Sequence, residues 1–117
     1  MNTCSNQEPT VDLDLNLVQE LLETATGRQR QRFLAITQQR TRMFSPIALC
    51  GTDDMITISR FLAGATRRAR RVTGDPSAML FGWHDWQKSR GRLQRGQLSL
   101  TEPTFRAFQQ ALGQDRR

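Results

Sequence analysis

Residues 75–100 read DPSAMLFGWHDWQKSRGRLQRGQLSL, and whether this stretch is helix or strand decides the fold. Asp75-Pro76 has the form of an N-cap followed by proline at the first helical position, where a missing N–H does no harm. Met79, Trp83 and Trp86 follow at spacings of four and three, the period of one helix face. Gly91 stands where a helix would stop. From Arg92 the pattern changes to spaced apolar or small positions, Leu93, Gly96, Leu98 and Leu100, which fit a loop or a small hairpin. On this reading the stretch is a fourth helix and a short connection.

The flanks are read on the same terms. Thr101 caps a last helix with Phe105, Phe108 and Leu112 inward and Gly113 as its stop. Upstream, Thr52 or Asp53 caps a third helix whose apolar stripe is Met55, Ile58, Leu62, Ala65, Ala69 and Val72, closed by Gly74. Ser45-Pro46 interrupts the chain before it. The residues around it, 43–51, fit either a helical turn begun by proline or a buried extended segment. A second helix over about 28–43 would carry Phe33, Ile36, Arg40 and Met43 on one face. A first helix, capped by Asp12 or Asp14, would bury Leu17, Leu21 and Ala25 with Val18 and Leu22 beside them, and end at Gly27. The expectation is an all-α, single compact domain of four to five short helices over 13–113. A disordered acidic leader, 1–12, precedes it and a basic tail, 114–117, follows.

At 117 residues the chain is one domain's length. A mean hydropathy of −0.59 and the lack of a long apolar run exclude a membrane span. Residues 1–14 hold no base and no apolar run, unlike a secretory signal. Cys4 and Cys50 allow one disulfide but read first as two free thiols of a reducing, cytoplasmic setting, and with one histidine they build no zinc site. Charge is the informative quantity. The net is +6, yet residues 1–27 hold five acids and no base, so all 17 basic residues lie in 28–117. All of them but Lys88 are arginine, whose planar fork matches phosphate and carboxylate.

Two tracts concentrate that charge. Arg67, Arg68, Arg70 and Arg71 crowd one helix end, where like charges repel unless an anion relieves them. Lys88, Arg90, Arg92 and Arg95 follow downstream, interleaved with Gln87, Ser89, Gln94 and Gln97. The candidate nucleic-acid-binding residues are therefore Arg60, Arg67, Arg68, Arg71, Lys88, Arg90, Arg92 and Arg95. Trp83 and Trp86 read as core anchors, although exposed tryptophans would offer bases a surface to stack on. His84 and Asp85 are neighbours, about 100° apart on a helix, and form no catalytic pair there. No glycine-rich phosphate loop or acidic cluster is present. These observations point to a protein without catalysis, cofactor or metal, binding nucleic acid, DNA before RNA, in gene regulation. The other reading is a helical adaptor or assembly protein whose basic face docks an acidic protein partner.

Residues 60–113 also resemble the tail of a Cro/Xre-type helix-turn-helix domain. Leu93, Gly96, Ser99, Phe105, Phe108, Ala111, Leu112 and Gly113 fall on that family's pattern, and the basic helix ending at Gly74 sits where its first helix ends. Asp75-Pro76 stands in place of the family's Ser-Gln, Gln94 in place of its acid, and Trp83 to Trp86 where a small turn residue belongs. The resemblance implies that Gln87 to Arg92 face the major groove. It also implies a homodimer, formed through the first helices.

Overall fold

The structure, a computed structural model, describes residues 10–113. Most of the expected leader, residues 1–9 with Cys4, and the expected basic tail lie outside the described residues. Asp14 caps α1, Leu15–Thr24, by accepting from the Leu17 amide at 2.9 Å. Val18, Leu21 and Leu22 form its buried face. Gly27 opens the next helix, α2, Gly27–Leu34, which tightens into a 3-10 turn at Ala35–Gln38. Gln39 is extended, so the expected second helix stops short of Arg40 and Met43, both exposed.

Both alternatives for 43–51 are realised in sequence. Met43–Phe44 is a short strand, β1, and Pro46–Cys50 is a helical turn, α3, with proline at its start and Ser45 as its cap. The long helix α4, Met55–Thr73, is capped by Asp54 through the Thr57 amide and hydroxyl, one residue past the expected caps. It ends as expected on Gly74, whose φ of 70° is the left-handed C-cap that glycine adopts without strain. A last helix, α5, spans Glu102–Gly113.

Residues 75–100 overturn the all-α expectation. Asp75 does accept from the Ser77 amide and hydroxyl, but the turn goes no further. Gly82–Ser89 is a strand, β2, and Arg92–Ser99 is its antiparallel partner, β3. Arg90 and Gly91 join them with φ of 54° and 77°. Two consecutive left-handed residues make the two-residue type I′ turn that suits a twisted hairpin. With β1 the hairpin forms a three-stranded antiparallel sheet in the order β1-β3-β2, so the fold is α/β, with five α-helices beside a sheet among the described residues.

The tryptophan spacing misleads for a definite reason. His84 pairs with Gln97 and Gln87 with Arg95, so Asp85 and Trp86 together face the single residue Gly96. This is a bulge, with Asp85 at a φ of 56°. The extra residue reverses the alternation and returns Trp86 to the face that holds Trp83. A second irregularity, at Gln94 on β3, restores the register before the turn. The two rings lie 5.7 Å apart. A spacing of three thus arises on a bulged strand as readily as on a helix.

One sheet face meets the helices through Leu93 and Leu98. Phenylalanines carry the core from element to element. Phe33 of α2 packs on Phe108 of α5 at 5.5 Å and on Phe61 of α4 at 5.4 Å. Phe61 meets Phe81 at 5.9 Å, and Phe81 meets Phe44 of β1. Residues 10–13, three of them in the expected leader, are anchored to this body. The Val11 amide donates to the Met79 carbonyl, and buried Thr104 donates to the Val11 carbonyl and accepts from the Leu13 amide. Among the described residues no helix is long and apolar enough to cross a membrane.

Candidate nucleic-acid interface

α4 runs alongside β2, one of the two outer strands of the sheet, and is fastened to the hairpin region at both ends. At the hairpin tip the Met55 amide donates to the Gly91 carbonyl at 2.9 Å, and the Leu93 amide to the Asp53 carbonyl at 2.8 Å. At the far end Arg70 of α4 donates to the Ala78 carbonyl and reaches the Met79 sulfur. A groove of about 600 Å³ remains between the two fastenings. Leu62, Met79, Phe81, Trp83 and Trp86 give it an apolar lining, and Arg67, Arg70 and Lys88 supply its cations. A second depression of about 630 Å³ continues it toward the hairpin tip, sharing Met55, Ser59, Ala63 and Lys88 and adding Ile56, Arg60 and Arg90. No carboxylate lines either part.

The indole of Trp86 is held in place. Its Nε1 donates to the Gln97 carbonyl at 3.1 Å, and its ring lies against Gly96, where a Cβ would come within 2.6 Å of the ring. Gly96, at a φ of 149°, thus serves both as a conformation few side chains tolerate and as a seat for the indole.

The expected cations fall into distinct sets. Arg60 and Arg67, seven residues apart on α4, lie on one helix face with Arg71 beyond them. The helical rise puts Arg60 about 10 Å from Arg67, and Arg71 about 6 Å further on. Lys88 and Arg90 of the hairpin share a depression with Arg60, and Lys88 also shares the groove with Arg67, while Arg71 lines neither part. None of these five side chains makes a hydrogen bond or an ion pair to another described residue. Arg68 turns the other way. It donates to the Gly64 carbonyl and to the Thr24 carbonyl at the end of α1, each at 3.2 Å. Partial burial, then repulsion from Arg67 and Arg71, holds its guanidinium below the ordinary arginine value. Arg92 is paired with Asp53. Arg95 is opposite Gln87 while Lys88 is opposite Leu93, so Arg95 projects from the sheet face away from the groove. Arg70, Leu62 and Met79 also line the groove but are not among the binding residues the sequence suggests. Their only signal was their position on or just after the basic helix.

His84 is not solitary, as a helix would have left it. Its Nε2 lies 2.9 Å from Ser99 Oγ. Ser99 is buried under Gly82, where a Cβ would come within 2.8 Å of that hydroxyl, so nothing can approach it from that side. No further group among the described residues hydrogen-bonds the imidazole, and the pair serves to tie β2 to β3. No cluster of histidine, cysteine, aspartate or glutamate among the described residues could hold a metal ion.

Gln87 to Arg92, which the helix-turn-helix resemblance would make a recognition helix, are the end of β2, the turn and the start of β3. Comparison with protein-family models, with curated proteins and with solved structures gives no match for this chain.

Proposed function

We propose that this protein binds nucleic acid without catalysing a reaction, and that the groove between α4 and β2 is where it does so. One observation carries the reading. Arg60, Arg67, Lys88 and Arg90 come from two distant tracts of the chain and line one continuous depression free of carboxylates. Clustered cations whose side chains hold no hydrogen bond or close ion pair attract a polyanion and gain from the counterions it releases. Regulation of gene expression in the cytoplasm, with DNA as the ligand before RNA, remains the role this composition suits best. A second reading, docking of an acidic protein partner, is favoured by Ile56, an apolar side chain 63% exposed at the groove's end.

Binding to random-sequence DNA and RNA, measured across salt concentrations, tests the proposal. Four engaged cations, Arg60, Arg67, Lys88 and Arg90, predict a log–log slope of about −3 to −4 on duplex DNA. The single substitutions Arg67→Ala and Lys88→Ala should each flatten that slope by about one. Absence of binding to any nucleic acid at low salt overturns the proposal.

A further inference from the structure

We infer that the ligand this groove takes is an unpaired nucleic-acid strand, its bases stacked on Trp83 and Trp86 and its phosphates on Arg67 and Lys88. This rests on the nucleic-acid reading above and goes beyond it, because cations alone do not distinguish a duplex from a single strand. The apolar lining does. A duplex keeps its base faces stacked inside and presents phosphate and sugar outward, so it has nothing to place against indoles in a recess. An unpaired strand presents flat apolar faces and anionic linkers together, and that is the alternation the groove offers.

The two indoles are suited to such a role. Both are only partly buried, packing against the edge of the core on one side and lining the groove on the other. Trp86 has one ring face against Gly96 and its N–H committed to Gln97, so the ring is fixed without a ligand. A prepositioned ring loses little conformational freedom on stacking. Trp83 is inclined at 44° to it, so the pair forms a bent surface rather than a single flat one. Arg67 and Lys88 flank the indoles from α4 and β2 respectively. A guanidinium beside a stacked base adds a cation–π contact to its phosphate contact. An acidic amphipathic helix would also find cations and apolar surface here, but it would make no use of paired, fixed aromatic rings.

Trp83 and Trp86 are the chain's only tryptophans, and it has no tyrosine, so its intrinsic emission reports on this groove alone. The test is titration of the full chain with oligo(dT) and, separately, with the duplex that oligo(dT) forms with oligo(dA), following tryptophan emission and, independently, the anisotropy of labelled nucleic acid. The inference predicts tighter binding of oligo(dT) than of the duplex, with quenching of tryptophan emission by oligo(dT) only. Trp86→Leu should weaken oligo(dT) binding about 5- to 100-fold and leave duplex binding within about twofold. Since Trp86→Leu could disturb the hairpin, Trp83→Phe and Lys88→Ala provide a second measurement. The Phe variant should retain more of the oligo(dT) affinity than Trp83→Leu, and Lys88→Ala should lower the salt slope. Duplex bound as tightly as oligo(dT), with tryptophan emission unchanged, overturns the single-strand inference and leaves nucleic-acid binding standing. Binding of neither ligand overturns both. Quenching by an acidic peptide but not by oligo(dT) assigns the groove to a protein partner.

Discussion

Arg67 and Arg68 are adjacent, chemically identical, and should fail in opposite ways when truncated. Arg67 is exposed beside the groove, and its side chain makes no hydrogen bond or ion pair to another described residue. Arg68 joins two helices, because its guanidinium satisfies the Thr24 carbonyl at the end of α1 while it also holds the Gly64 carbonyl of its own helix. Hydrogen bonds to a charged group contribute about 1.5–3 kcal/mol each, and removing the donor leaves a partly buried carbonyl unsatisfied. Two effects reduce the loss in Arg68→Ala. Repulsion from Arg67 and Arg71 disappears, and Arg68 Nε, buried without an acceptor, no longer has to be accommodated. A net destabilisation of about 1–2 kcal/mol remains, which for a domain of this size lowers Tm by about 4–8 °C. Arg67→Ala should change Tm by no more than about 2 °C, since an exposed charge away from a partner contributes little. It should instead weaken nucleic-acid binding and reduce the salt slope by about one. Thermal unfolding by circular dichroism, run beside a binding titration on both variants, separates the outcomes. An Arg68→Ala protein that melts with the wild type, or an Arg67→Ala protein that melts far below it, would refute the assignment of the two side chains.

Two further substitutions probe the hairpin and the start of α4. Arg90→Asn replaces a side chain that is strained at a φ of 54° with one that accepts the left-handed region, so it should stabilise the fold by about 0.5–1 kcal/mol while weakening polyanion binding. A thermal melt and a binding titration moving in the same direction would count against the turn geometry or the groove. Asp54 has its pKa lowered, first by the Thr57 hydroxyl and backbone amide, with burial opposing and Arg92 and Arg60 assisting. A depressed carboxylate stabilises the fold above its unfolded pKa of about 3.9, and that contribution disappears as pH falls through the lower folded value. Asp54→Asn should therefore lower Tm at neutral pH, and the gap to the wild type should narrow below about pH 4. A gap that is the same at neutral and strongly acidic pH would exclude a role for the charge.

Sequence periodicity located the main helix faces and some of their caps, while the ends of the second helix and the cap of α4 were misplaced by one to several residues. Asp14, Gly74 and the stripe through Ile58, Ala65 and Ala69 are read from the chain because caps and helix faces are set by residues three and four apart. It failed where a long-range pairing decided the outcome. The Arg90-Gly91 turn lacks the asparagine or aspartate that usually marks a type I′ hairpin, so the strongest short-range signal was missing. The bulge at Asp85 gave Trp83 and Trp86 a helical spacing, and only the pairing with Gln97 and Arg95 reveals the extra residue. The basic tracts were legible as composition but not as a surface. Which arginine faces a ligand depends on which carbonyls and carboxylates lie near it, and Thr24, Asp53 and Ala78 are far from their arginines in sequence or on other elements.

The misread segment and the candidate site share one cause. A regular β2 would place Trp83 and Trp86 on opposite faces of the sheet, one toward α4 and one away from it. The extra residue at Asp85 puts both beside α4, and Gly96, facing the bulge from β3, leaves room for the second indole to lie against the sheet. Filling in Gly96 would push against Trp86, and restoring the alternation would remove it from the groove. The cations need no such device, since Arg60 and Arg67 share a face by helical period alone. The aromatic half of the groove therefore depends on one inserted residue and one glycine across from it. The groove would remain a basic surface without them, but it would lose the paired rings that distinguish it from one.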